Sequence, residues 1–188
     1  MNLTLSWDLL VIIFFATIVA YSFIVGRDSS VKIIIAAYIA IVAVQGTGNV
    51  LMQLSDSSES TWSIVGLSMG EQWIALTKIV LFVAVVLFLA LRGGFDIHYA
   101  KDIPGLWDTL LTGVFGFATA GLILSTLLTY IAGKPILALD LGGAVPLTPL
   151  LQQSILIDVM VRYQSMWFAF PAILLLAMGF YNGDSDEE

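Results

Sequence analysis

The sequence predicts an all-α membrane protein. It reads as a single integral membrane domain with four core transmembrane helices, an amphipathic segment and a short fifth apolar helix. Three observations carry this reading. Hydrophobic residues make up 59% of the 188 residues and charged residues only 11%, whereas soluble domains carry roughly 25% charged and about 45–50% apolar residues. Four apolar runs each have about 17–23 residues, the length a helix needs to cross a bilayer. None of the four alternates with period two, which argues against a transmembrane β-barrel. So much apolar surface cannot be hidden in a soluble core of this size, and there is too little charge for disorder.

The first run extends from Leu9 to Gly26 behind Asp8. Residues 1–8 contain no Lys or Arg, and Ile24-Val25-Gly26-Arg27 is a poor cleavage site, so the run reads as a retained span and not as a signal peptide. Arg27-Asp28-Ser29-Ser30 reads as a tight turn, with Lys32 just beyond it. The second run, Val31 to Leu51, ends in Gln45-Gly46-Thr47-Gly48-Asn49. That pattern reads as a frayed, polar helix end or as a polar lining for a solute. It lacks the Lys-Ser/Thr of a phosphate-binding loop. From Gln53 to Gln72 the chain is polar, acidic and Ser-rich, without Lys or Arg.

The third run is Trp73 to Leu91 and the fourth Leu110 to Ala132, joined by a loop carrying Arg92, His98 and Lys101. Basic loops stay on the cytoplasmic side of a membrane. The first and third loops are therefore expected in the cytoplasm, and the N-terminus and second loop outside. After Lys134-Pro135 comes a Gly/Pro-rich stretch, and Thr148-Pro149 reads as a helix start, with Thr as cap and Pro in first position. Leu150 to Tyr163 mixes apolar and polar residues, and Asp158 and Arg162 have i,i+4 spacing. This piece reads as a helix lying on or dipping into the outer surface. Met166 to Tyr181 is apolar but short and contains Pro171. It reads as a fifth span or as an arm of a membrane-embedded hairpin. Residues 183–188 form an acidic tail with Asp184, Asp186, Glu187 and Glu188.

Little in the chain suggests chemistry. There is no cysteine, so thiolate catalysis, disulfides and Cys-metal sites are excluded. His98 has no second ligand at metal spacing, and no HExxH, GxSxG or intramembrane carboxylate pair occurs. No catalytic, cofactor-binding or metal-ligating residue is assigned, no cofactor is expected, and the chain does not read as an enzyme. Seven Lys and Arg against fourteen acids give no electrostatic basis for binding nucleic acid.

Two groups of residues do stand out. In the fourth run Thr112, Gly116 and Ala120 form an i,i+4 row, with Gly113 and Gly121 beside it. Small residues let helix backbones approach closely in lipid, so this row marks a packing face, within the chain or between copies. The second group is polar: Asp8, Gln45, Asn49 and Lys78. Lys78 lies about 9 Å inside Gln72 along a helix. It reads as a lysine snorkelling to the interface, or as the partner of Asp8 in a site near the outer leaflet.

The order of these parts resembles the CvpA family, small bacterial inner-membrane proteins linked to colicin V production. The resemblance starts at Trp7-Asp8-Leu9-Leu10 and continues at the Gly26-Arg27 turn, where the family typically has Arg-Gly. Its best local match runs from Leu106 through Asp108, Gly113 and Gly116 to Gly121. There the family pattern is an Asp, then Gly-x-x-Phe/Leu-Gly, then Arg-Gly, and this chain has Ala120-Gly121. By architecture it covers roughly residues 7 to 165. The resemblance implies four core spans in the inner membrane and an accessory role in cell-envelope maintenance or toxin production and export, with no established enzymatic activity. Its implied partners are membrane lipid, further copies of the chain or other envelope proteins. The alternative is the membrane subunit of a small-solute transporter, with Gln45, Asn49 and Lys78 as its polar residues.

Overall fold

The computed structural model describes residues 7–57, 71–93, 105–131 and 154–183. It contains six helices there: α1 (Trp7–Val25), α2 (Arg27–Ser57), α3 (Glu71–Arg92), α4 (Gly105–Ile131), α5 (Ile155–Arg162) and α6 (Gln164–Gly183). Four of them, α1 to α4, are long and apolar enough to cross a membrane, and the α5–α6 pair adds a fifth crossing if counted as one bent span. The chain is a multi-pass helical membrane protein. Helices suit that role because each satisfies its own backbone hydrogen bonds where no water is available.

The first connection is shorter than the sequence suggests. Arg27-Asp28-Ser29-Ser30 is not a turn but the opening of α2. Gly26 alone reverses the chain, with φ +85°, a left-handed conformation that costs glycine little. Its N–H donates to the Ser22 carbonyl at 2.9 Å, closing α1, and its carbonyl accepts from the Ser30 N–H at 3.2 Å, opening α2. Asp28 then sits favourably in the first turn of α2, near the positive end of the helix dipole.

The Gly46-Thr47-Gly48-Asn49 stretch is not a frayed end either. Helix α2 passes through it to Ser57. The Thr47 hydroxyl folds back onto its own helix, donating to the Ala43 carbonyl at 2.9 Å.

Helix α4 is the hub. It packs against each of the other five helices, and 61% of its span is buried, against 11% for α1 and 6% for α3. One core cluster joins a stripe of α2 (Val31, Ile34, Ala37, Ile41, Val44) to Phe82 of α3, Phe115 and Leu122 of α4 and Phe168 of α6. The three- and four-residue spacing of that stripe is the signature of one helix face. A second cluster seats α5 on α1 and α4 through Ile157, Met160 and Val161 against Val11, Leu124 and Leu128.

Thr148 and Pro149 lie outside the described residues; the helix described after them starts at Ile155 and is capped by Ser154. Helices α5 and α6 meet at a 66° bend beside Tyr163, which closes α5 with an N–H bond to the Val159 carbonyl at 2.9 Å. Asp158 and Arg162 form the i,i+4 pair on α5, at 3.0 Å. Pro171 lies inside α6, where it removes a backbone donor and disturbs the turn before it. The Phe168 carbonyl in that turn accepts a hydrogen bond from the Tyr38 hydroxyl of α2.

Candidate functional site

The polar side chains gather at two ends of the bundle. At the end where α1 hands over to α2, the Ser22 and Ser30 hydroxyls lie 2.5 Å apart, and Ser22 Oγ donates to the Thr112 carbonyl of α4 at 3.1 Å. Ser30 Oγ reaches the Gly26 carbonyl at 3.1 Å. Thr112 turns its own hydroxyl back to the Asp108 carbonyl at 2.8 Å. Arg27 is nearly buried and places Nη1 3.2 Å from Asp108 Oδ1, while Asp108 keeps half its side chain in the open. Asp28 stands 3.7 Å from Arg27 Nε. This cluster ties the α1–α2 corner to the start of α4.

The small-residue row of α4 sits directly above it. A Cβ on Gly116 would come within 2.7 Å of Ser22 Cβ and 3.3 Å of the Val19 backbone. One on Gly113 would come within 3.1 Å of the Phe23 ring, and one on Gly121 within 2.1 Å of the Trp167 indole. Thr112, Gly116, Ala120 and Gly121 are all buried. These close approaches are made within the chain, to α1 and to α6. Trp167 is held further by Phe15 and Phe117, with ring centroids 5.8 and 5.5 Å away.

At the opposite end, Asp8 meets the start of α5. Its Oδ1 accepts from the Ser154 hydroxyl at 2.6 Å and from the Leu156 N–H at 3.1 Å. Ser154 has extended backbone, and its Oγ accepts the Ile157 N–H at 3.1 Å. Serine and aspartate together thus satisfy two of the backbone donors that a helix start leaves open.

The four polar residues singled out in the sequence do not form one site. No ion pair joins Asp8 to Lys78, because α1 packs on α4 and α2 while α3 holds the flank beyond α2. Lys78 instead lays its stem over Gly48, where a Cβ would meet its Cε at 2.9 Å. Gln45 is half-buried and Asn49 exposed on the same helix. Sequence reasoning missed Ser22, Ser30, Tyr38, Ser154 and Trp167. Each works through a partner on another helix, and no local spacing announces such a contact.

Chemically, these are clamps. The buried threonines of α4 bond their own helix: Thr119 to the Phe115 carbonyl, Thr126 to that of Leu122 and Thr129 to that of Ser125, each at 2.7 Å. Ser125 Oγ and Tyr130 Oη are buried without a hydrogen-bond partner among the described residues. No group of three or more His, Cys, Asp or Glu among the described residues is arranged to hold a metal ion. Comparison with family models, with curated proteins and with solved structures gives no match.

Proposed function

We propose that the chain is an accessory membrane protein of the cell envelope, of the kind the CvpA resemblance implies, without enzymatic activity of its own. What supports this is the use made of its polar side chains. Ser22, Ser30 and Thr112 lock α1 and α2 to α4, and Asp8 with Ser154 locks α5 to α1. They fasten helices to one another, so among the described residues these groups are taken up in packing. In this reading the protein sits in the inner membrane with its N-terminus outside, since the α1–α2 corner with Arg27 and Lys32 and the connection after α3 with Arg92 and Lys101 belong in the cytoplasm. It works by contact with lipid, with other envelope proteins or with further copies of itself. A deletion strain tests this. It should become sensitive to detergent or lose toxin export, and regain both with the intact gene. An unchanged envelope and unchanged export would refute it.

A second reading, the membrane subunit of a small-solute transporter, is favoured by one observation. The hydroxyls of Ser125 and Tyr130 are buried in the bundle with no partner among the described residues, and such groups are costly unless something bonds them. Purification in mild detergent separates the two readings. A transporter subunit brings a stoichiometric energising ATPase with it; an accessory envelope protein does not.

A further inference from the structure

The geometry points to a lipid-phosphate seat between α2 and α3, built from Lys78 and Gly48. Lys78 lies six residues past Gln72, the polar residue that precedes the apolar run of α3, and Gly48 lies five residues before Gln53, the polar residue that follows that of α2. At 1.5 Å per residue both lie about 7–9 Å inside those polar residues, a depth from which a lysine can reach the headgroups. Side chains on a helix lean toward its N-terminus. For Lys78 that direction is toward the polar start of α3, so the ammonium can reach the interface.

Its stem does not run up α3 alone. It crosses to α2 and lies on Gly48, with Cε 2.9 Å and Nζ 3.6 Å from where a Cβ would be. A side chain at position 48 would displace the flexible end of Lys78 from that path. Arg27 stands 3.2 Å from Asp108 and Arg162 3.0 Å from Asp158. Lys78 makes no hydrogen bond or ion pair with any described residue, although it is half-buried. A charge at this depth is costly without a counter-ion. The anion continuously present at the interface is the phosphate of a phospholipid, within reach of a snorkelling ammonium. Asn49, exposed next to Gly48, adds an amide donor at the rim.

The test is native mass spectrometry of the purified full chain with dioleoyl phosphatidylglycerol, dioleoyl phosphatidylcholine, glycerol phosphate or inorganic phosphate. The wild type should retain one phosphatidylglycerol that Lys78→Gln loses at least fivefold and Lys78→Arg keeps. Gly48→Leu, which fills the seat but leaves the charge, should lose it as well. Thermal unfolding in phosphatidylcholine nanodiscs identifies any variant that is not folded, and the Lys78→Arg and Lys78→Gln pair then decides. Equal retention by wild type and Lys78→Gln overturns the site. Displacement by millimolar inorganic phosphate or glycerol phosphate overturns the lipid assignment in favour of a soluble anion.

Discussion

Ser22 and Gly116 touch so closely that α1 and α4 meet backbone to backbone: a Cβ on Gly116 would stand 2.7 Å from the Ser22 Cβ and 2.9 Å from its Oγ. The same contact lets the Ser22 hydroxyl reach the Thr112 carbonyl. Gly46 of α2 has nothing within 4 Å of its Cβ position. The two glycines therefore respond oppositely to alanine. Gly116→Ala should cost about 1–3 kcal/mol through overpacking. Gly46→Ala should be neutral or stabilising by up to about 1 kcal/mol, from helix propensity alone. Thermal unfolding in detergent measures both, and equal midpoints would show that α1 and α4 are further apart.

Ser154 caps α5 and donates to Asp8, so Ser154→Ala removes two interactions at once. Loss of the cap alone costs about 0.5–2 kcal/mol. Helix α5 should then exchange its amide hydrogens faster, while α2 and α3 keep their protection. Asp8→Asn should shift α5 in the same direction. Because Asp8 has these partners and not Lys78, Asp8→Asn and Lys78→Met should add within about 0.3–0.5 kcal/mol. A rescue of one by the other would mean that the two charges meet.

Tyr38→Phe tests the contact across the disturbed turn of α6. The hydroxyl donates to the Phe168 carbonyl, three residues before Pro171. Interhelical hydrogen bonds in membranes average about 0.6 kcal/mol, so a loss of about 0.5–1.5 kcal/mol is expected, read as a lower melting temperature. No loss would mean that water or lipid replaces the phenol.

The four long helices were legible because bilayer thickness sets their length and the apolar runs match it. The turn at Arg27-Asp28-Ser29-Ser30 was misread for a physical reason. Asp and Ser suit turns and helix starts equally, and only the backbone shows that Gly26 takes the whole reversal. Gly46-Thr47-Gly48-Asn49 looked like a helix end on propensity. An apolar environment overrides propensity, since an interrupted helix there would leave backbone groups unbonded. The close approaches of Gly113, Gly116 and Gly121 follow a spacing the sequence displays. The Asp8–Ser154 bond does not: its partners are 146 residues apart, and nothing local connects them.

The positive-inside rule predicts which side of the membrane each connection occupies. Arg27 and Lys32 stand at the α1–α2 corner and Arg92 and Lys101 lie at or beyond the end of α3, whereas the only charged residues between Gln53 and Gln72 are acidic. Since the chain has no cysteine, single cysteines report cleanly. One at Ser58 should react with an impermeant reagent in intact cells, and one at Ser29 should react only after lysis. The reverse pattern would invert the topology.

Gly121 and Trp167 give the most demanding test of the α4–α6 contact. A Cβ on Gly121 would lie 2.1 Å from the indole Cε3 and 2.4 Å from Cζ3. The indole cannot swing aside freely, because Phe15 and Phe117 flank it and themselves stack at 5.1 Å. Gly121→Ala must therefore move a whole helix or break the aromatic group, and about 1–3 kcal/mol of destabilisation is expected. Trp167→Leu loses ring contacts worth about 0.5–1.5 kcal/mol beyond area, but it also clears the space a methyl group needs. The double variant should thus be more stable than the sum of the singles by about 0.5–3 kcal/mol, the range for residues in contact. Unfolding of all four proteins in the same detergent measures that difference. Additivity would mean that α6 does not rest on Gly121, and the bent α5–α6 pair would then need another anchor on the bundle.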